Sequence, residues 1–150
     1  MEATSPTDAT QIRAYYEQSW SAFRKFWSNP QNLALHFGYW DEHTHDHAES
    51  LLNMNQQLAT RARVKAGDRI LDTGCGVGGT VFWLTTHYPV QVFGINLVAA
   101  QLDWAQTFAR ARGLENRVIF LQQDFLHTSF ASNSFDVVWA QESACHARDK

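Results

Sequence analysis

The chain has 150 residues, of which 45% are apolar and 18% charged, and its formal net charge is −3 at pH 7. This length suits one domain, and the composition is that of a globular protein rather than a disordered segment. The small negative charge gives no indication of a nucleic-acid partner, and no apolar run reaches the roughly 20 residues that a membrane span needs. The first ten residues lack the pattern of a signal peptide, and two cysteines are too few for a disulfide framework, so we expect a reduced, cytoplasmic setting.

Two helices are predicted in the N-terminal part of the chain. Apolar residues recur every three or four positions from Ile12 to Trp27, which is typical of one helix face, and the pattern ends before the next proline. A second helix is predicted from about Asp46 to Arg63, with Asp46 as its N-cap and Glu49 placed three residues on, as in a capping box. We expect residues 1–64 to form a helical cap beside the remainder of the chain.

After residue 64 the pattern changes to short apolar strands that alternate with helices. Strands are predicted at 69–73, 90–95, 118–122 and 135–140, and helices at about 78–87 and 98–112. This alternation predicts an α/β fold with a Rossmann-like, doubly wound and mostly parallel sheet over residues 65–150. The fourth strand is strongly apolar and needs neighbours on both edges, so we expect an incomplete core and a chain that is the N-terminal part of a longer protein. A complete small domain with a protected edge is the alternative.

A glycine-rich loop follows the first predicted strand and opens a helix. Between Gly74 and Gly79 the sequence satisfies G-x-G-x-x-G, in which glycines let the backbone approach a ligand and the helix start offers free amides. Asp72, just before the loop, would repel a pyrophosphate but suits a cationic amino group. A dinucleotide site also wants an acidic residue at the end of the second strand, where this chain has Asn96. These two residues disfavour a dinucleotide-dependent oxidoreductase, which stays as an alternative.

The stretch L-D-T-G-C-G-V-G-G resembles the nucleotide loop of class I S-adenosylmethionine-dependent methyltransferases, in which an acidic residue precedes G-x-G-x-G. The resemblance covers about residues 68–150 and implies S-adenosylmethionine as the cofactor, with Asn96 near its ribose and Asp124 on its adenine amino group. Capping of the next turn is the alternative role for Asp124. The residues that the resemblance places at the cofactor are Asp72, Gly74, Cys75, Gly76, Asn96, Leu97, Gln101, Asp124, Phe125 and Gln141.

The segment after the fourth strand, E-S-A-C-H-A, looks like the E-A-T-C-H-A segment of sterol C-methyltransferases, and similar segments occur in tocopherol methyltransferases. Cyclopropane synthases carry a Glu where this chain has Cys145, which argues against cyclopropanation. The resemblance implies a small apolar or aromatic methyl acceptor, with C-methylation of an isoprenoid- or sterol-like alkene or an electron-rich ring. Alkene methylation leaves a carbocation that needs aromatic faces and a base. The candidate catalytic residues are Glu142, His146, Tyr16 and Tyr39, with Trp40 among the aromatics facing the reacting carbon.

Other interpretations of these residues stay open. The N-terminal aromatics also suit an ordinary helix core, and Glu142 and His146 also suit an i, i+4 pair at a helix start. N- or O-methylation of a small natural product and a binding-only fragment are the alternative functions. His43, His45 and His47 alternate as metal ligands can, but nothing supplies a buried second shell, so we expect no metal. The expected partner is a small-molecule acceptor without nucleic acid or an integral membrane segment, and a homo-oligomer is compatible with the sequence.

Overall fold

The computed structural model describes residues 9–26 and 32–147. In these ranges the helices are α1 (Ala9–Phe26), α2 (His47–Arg61), α3 (Gly79–His87) and α4 (Ala99–Ala111), and the strands are β1 (Arg69–Thr73), β2 (Gln91–Asn96), β3 (Val118–Gln122) and β4 (Val137–Trp139). A short 3-10 turn follows at Ala144–His146. The elements and their order are those that the sequence predicts, and the bounds of β1 and β3 are confirmed to the residue.

The four strands form one parallel sheet in the order β3-β2-β1-β4. The chain therefore moves outward from β1 through β2 to β3 and then crosses to the other side of β1. This order confirms the doubly wound α/β class. A reversal of this kind opens a crevice at the carboxyl ends of the central strands, which is where ligands bind in open α/β sheets.

Strand β4 is shorter than the predicted segment 135–140. Phe135 instead packs edge-on against Phe93 and Phe130, with ring centroids 5.2 and 4.9 Å away. The Asp136 carboxylate accepts a hydrogen bond from the Arg69 backbone at 2.8 Å. One edge of β4 pairs with β1, and the described residues place no strand on its other edge.

Helix α2 begins at the predicted cap. Asp46 Oδ1 accepts from the Glu49 backbone at 2.8 Å, and Glu49 Oε2 accepts from the His45 backbone at 2.8 Å. Each side chain thus satisfies a backbone N–H at the helix start, and such a cap contributes about 1 kcal/mol to stability.

The segments before residue 64 share the hydrophobic core of the sheet. Leu33 and Ala59 belong to the same buried cluster as Ile70 of β1, and Trp20 of α1 packs against it. The division between residues 64 and 65 stays a prediction. The predicted end of the first helix after Trp27 lies outside the described residues. No helix within the described ranges is long and apolar enough to cross a membrane.

Candidate functional site

A cavity of about 560 Å³ opens at the carboxyl end of the sheet, beside the crevice between β1 and β4. It is lined by the segments that follow all four strands and by the inner face of α1. Eleven of the predicted site residues meet there, namely Tyr16, Gly74, Gly76, Asn96, Leu97, Gln101, Asp124, Phe125, Gln141, Glu142 and His146. Lining residues that the sequence did not single out include Leu35, Gln123, Leu126, His127 and Ser143.

The glycine loop turns where no side chain could be accommodated. Gly74 has φ +92°, and a Cβ at this position would lie 2.5 Å from Cβ of Ser143. Its N–H donates to the Ile95 carbonyl at 2.9 Å, which ties the loop to the end of β2. The loop therefore brings bare backbone to the cavity wall, as the sequence predicts for a close approach to a ligand.

Two neutral amides occupy the place where a dinucleotide site has a carboxylate. Asn96 donates through Nδ2 to Gln101 Oε1 at 2.7 Å, and its Oδ1 accepts from the Val98 backbone at 3.2 Å. Gln101 is 2% exposed, and its Nε2 has no hydrogen-bond partner among the described residues. A buried, unsatisfied donor on a cavity wall is unfavourable unless water or a ligand accepts from it.

Asp124 has the turn-capping contact that the sequence left open. Its Oδ1 accepts from the Leu126 backbone at 2.9 Å, which fixes the turn after β3 against the cavity. This contact does not remove Asp124 from the site, because a carboxylate offers two oxygens and several lone pairs. Phe125, the next residue, lines the same wall.

A phenol and an imidazole meet across the cavity. The Tyr16 hydroxyl of α1 lies 3.0 Å from Nε2 of His146, and the two rings pack edge-on. Burial, followed by the nearby Cys145, raises the pKa of Tyr16, so the hydroxyl keeps its proton. The pair therefore places a hydroxyl and an imidazole nitrogen within hydrogen-bond distance at the cavity.

Glu142 lines the cavity, but its carboxylate is already engaged. The residue has φ +57°, a left-handed conformation that non-glycine residues seldom adopt. Its Oε1 accepts a hydrogen bond from the Phe37 backbone at 2.6 Å. The carboxylate thus joins the end of β4 to the aromatic segment 36–40.

The placement of Tyr39 and Trp40 beside the reacting carbon stays a prediction. Tyr39 is 39% and Trp40 56% exposed, and neither is among the residues that line the large cavity. At the neighbouring Gly38 a Cβ would be 1.9 Å from Ser50 Oγ, so the backbone there lies directly against α2.

Cys75 as a cofactor residue stays a prediction. Its thiol is buried in the core, and a Cβ added to Gly94 would lie 2.8 Å from its Sγ. Its backbone N–H donates to the Ile95 carbonyl at 3.0 Å. Burial raises the pKa of the thiol well above its usual range, and the residue also lines a small cavity behind the glycine loop.

Asp72 lines a second, smaller cavity of about 50 Å³ behind the glycine loop. His36 and Gln141 line it too, and Gly74, Gly76, Leu35 and Gln141 are shared with the large cavity. Asp72 is 3% exposed, and burial raises the pKa of its carboxyl to about 7. The three alternate histidines are exposed, and the described part of the chain has no group of three metal-ligating side chains.

Comparisons with known proteins agree with this architecture. Residues 70–150, more than half of the chain, match the family described as "Methyltransferase domain". Methyltransferase GfsG of Streptomyces halstedii is 37% identical over 142 residues, which cover 93% of this chain and 50% of that protein. The 27-O-demethylrifamycin SV methyltransferase of Amycolatopsis mediterranei is 36% identical over 77% of this chain and 43% of its own length.

Sterol 24-C-methyltransferase erg6 of Schizosaccharomyces pombe is 31% identical over 91% of this chain and 35% of its own length. Among solved structures, the [4+2]-cyclase SpnF has a TM-score of 0.79 and 25% identity over 93% of this chain and 51% of that one. The chain thus spans about half, or less, of the length of these similar proteins. The resemblance found in the glycine loop is confirmed, and the chain belongs to the methyltransferase domain family, whose cofactor is S-adenosylmethionine.

Proposed function

We propose that this chain carries the cofactor site of an S-adenosylmethionine-dependent methyltransferase that methylates a hydroxyl group of a small molecule, with His146 as the base. The observation that carries this proposal is the Tyr16 hydroxyl at 3.0 Å from His146 Nε2 on the wall of the large cavity. A methyl acceptor whose hydroxyl takes the place of the Tyr16 hydroxyl beside Nε2 would deliver its proton to that nitrogen. Such general-base help accelerates reactions about 10²–10⁴-fold.

The residues at the large cavity fit the cofactor. The bare loop at Gly74 admits a close approach, and the unsatisfied Gln101 Nε2 suits a ribose hydroxyl as its acceptor. Asp124 and Phe125 suit the amino group and the face of adenine. When bound, the cofactor supplies a methyl group on a sulfonium centre, and the protein's main task is to place acceptor and methyl in line.

The lining of the cavity favours an oxygen acceptor over an alkene. A carbocation needs several aromatic faces, whereas the described lining includes only Tyr16 and Phe125 as phenol or phenyl rings. Tyr39 and Trp40, which the sequence predicts to shield the carbocation, are not among the residues that line this cavity. A hydroxyl acceptor needs one base and no shield. The relative whose name specifies a 27-O-demethyl substrate is consistent with this acceptor class.

C-methylation of an isoprenoid-like alkene is the second candidate. It is supported by the E-S-A-C-H-A segment and by the likeness to a sterol 24-C-methyltransferase. In that reaction His146 would remove a proton from carbon after methyl transfer, and further aromatic faces would have to come from outside the described residues.

The test uses the full protein that carries this chain and a cofactor with a labelled methyl group. Label on an acceptor oxygen supports the proposal, and label on carbon supports the second candidate. His146→Ala should lower turnover about 10²–10⁴-fold while the affinity for S-adenosylhomocysteine, measured by calorimetry, changes little. His127→Ala is the matched control, because His127 is a second histidine that lines the same cavity. Equal turnover in both variants would refute the role of His146, and absent binding of S-adenosylhomocysteine to the wild type would refute the whole proposal. The homo-oligomer and the cytoplasmic location stay predictions.

A further inference from the structure

His36 is buried within an otherwise exposed aromatic segment. It is 6% exposed, whereas the adjacent Phe37 is 65% exposed. Its Nδ1 lies 2.8 Å from the Phe37 carbonyl oxygen, and because a carbonyl can only accept, Nδ1 carries the proton. Burial lowers the pKa of His36, so the ring is neutral and Nε2 is a bare acceptor. This Nε2 has no hydrogen-bond partner among the described residues.

The small cavity behind the glycine loop is lined by the buried His36 ring and Asp72 carboxyl and by the Gln141 amide. His36 Nε2, an acceptor, and Gln141 Nε2, a donor, are buried without hydrogen-bond partners among the described residues. Gln141 Oε1 is occupied by the Thr80 hydroxyl at 3.2 Å and by the Trp139 indole at 3.0 Å. A buried acceptor such as His36 Nε2 is costly without a donor, and a cationic donor satisfies an imidazole and a carboxylate together.

We propose that His36 Nε2 accepts a hydrogen bond from the ammonium group on the amino acid part of S-adenosylmethionine, beside Asp72. This inference rests on the cofactor proposed above. His36 is then a specificity-determining residue that favours a cofactor with a free amino group. The small cavity shares the glycine loop with the large one, so one extended ligand can reach both. No covalent step is involved.

A residue on the wall of the large cavity, Glu142, helps to set the position of His36. Two backbone groups of Phe37, which belong to successive peptides, are engaged: its N–H donates to Glu142 Oε1 at 2.6 Å, and its C=O accepts from His36 Nδ1 at 2.8 Å. The first bond fixes the peptide that joins His36 to Phe37, and the second fixes the rotation of the ring and directs Nε2 away from the Phe37 carbonyl. Glu142 is therefore a positioning residue for His36.

The experiment measures two affinities by calorimetry for each variant of the full protein. One ligand is S-adenosylhomocysteine, and the other is its analogue with hydrogen in place of the amino group. In His36→Asn the shorter amide can still donate to the Phe37 carbonyl but has no atom at the Nε2 position. In His36→Gln an amide oxygen reaches that position. His45→Asn, at an exposed histidine, is the control.

We expect His36→Asn to lower the affinity for S-adenosylhomocysteine about 10- to 100-fold, the range for a lost hydrogen bond to a charged group. The affinity for the deaminated analogue should stay unchanged, and His36→Gln should retain most of the preference for the amino group. The ratio of two affinities within one variant does not depend on the folded fraction, so weakened folding cannot mimic the effect. An equal loss for both ligands, or no loss for either, overturns the proposal while leaving the cofactor in place. Failure of the wild type to bind S-adenosylhomocysteine overturns the proposed function itself.

Discussion

Replacement of Asp72 by Asn is expected to stabilise the ligand-free chain as the pH rises. Burial raises the pKa of this carboxyl from 3.8 to about 7 in the folded state. Between these two values the unfolded chain has lost the proton and the folded chain still holds it, so stability falls as pH increases. Above pH 7 the full free-energy cost of burying an ionised carboxylate is present, and the amide of Asn, which has the same shape and no charge, avoids this cost.

The magnitude follows from the two pKa values. A difference of roughly three pKa units corresponds to about 4 kcal/mol at 1.36 kcal/mol per unit. For a chain of this size that amounts to roughly 8–16 °C in Tm. Thermal unfolding of wild type and Asp72→Asn from pH 4 to pH 8 should show a difference that grows from near zero to this value. The same variant should bind S-adenosylhomocysteine more weakly, because it lacks the charge that suits an ammonium group.

Asp68→Asn is the matched control, because Asp68 is also 3% exposed and lies just before β1. Its carboxylate accepts from the Lys65 ammonium at 2.6 Å and from the Lys65 backbone at 2.9 Å, and this hydrogen bonding lowers its pKa. A lowered pKa contributes stability above the unfolded value of 3.8 that is lost as pH falls, so Asp68→Asn should destabilise the chain at pH 8. If Asp72→Asn destabilises the chain at pH 8 as Asp68→Asn does, the reasoning from burial is wrong.

Two further comparisons test the loop and the end of β4. Gly74→Ala should abolish binding of S-adenosylhomocysteine, because its Cβ would lie 2.5 Å from Cβ of Ser143 at φ +92°. Gly67→Ala, at φ +87° with open space around it, should cost only about 1–2 kcal/mol of backbone strain and leave binding intact. Equal losses of binding in calorimetry would contradict the close approach at Gly74. Glu142→Gln keeps an oxygen that accepts from the Phe37 backbone, so turnover should stay within a few-fold of wild type, whereas Glu142→Ala should lose both turnover and cofactor affinity. A loss of about 10²–10⁴-fold in Glu142→Gln would instead make Glu142 the base that the sequence predicted.

Much of the fold was predictable because its determinants are local. Each of these determinants acts on residues close to it in the sequence: the apolar runs at β1 and β3, the cap at Asp46, and the glycine after α4. The order of the sheet then follows from the alternation of strands and helices, since parallel strands need crossover helices. The cavity also follows, because the carboxyl ends of parallel strands share one edge of the sheet.

The details of the site that the sequence could not predict are contacts between distant residues. Cys75 stands among glycines that suggest a ligand, and its side chain also fills the space over Gly94, nineteen positions later in the sequence. Gly38, next to Tyr39, lies against Ser50 on α2. Glu142 finds its partner at Phe37, 105 positions earlier. Residue type and spacing indicate that a group is near a site, but not which atom it bonds.

The backbone at Phe37 connects the two cavities of the site. Glu142, which lines the large cavity, holds the Phe37 N–H, and His36, which lines the small one, donates to the Phe37 C=O. The Phe37 N–H belongs to the planar, rigid peptide that begins at the Cα of His36, so its bond to Glu142 fixes the backbone that carries the imidazole. Loss of the Glu142 carboxylate therefore releases this backbone, although Glu142 does not line the small cavity. For this reason Glu142→Ala should weaken the binding of S-adenosylhomocysteine more than the binding of its deaminated analogue. If Glu142 only bound the methyl acceptor, the substitution would not change the ratio of these two affinities.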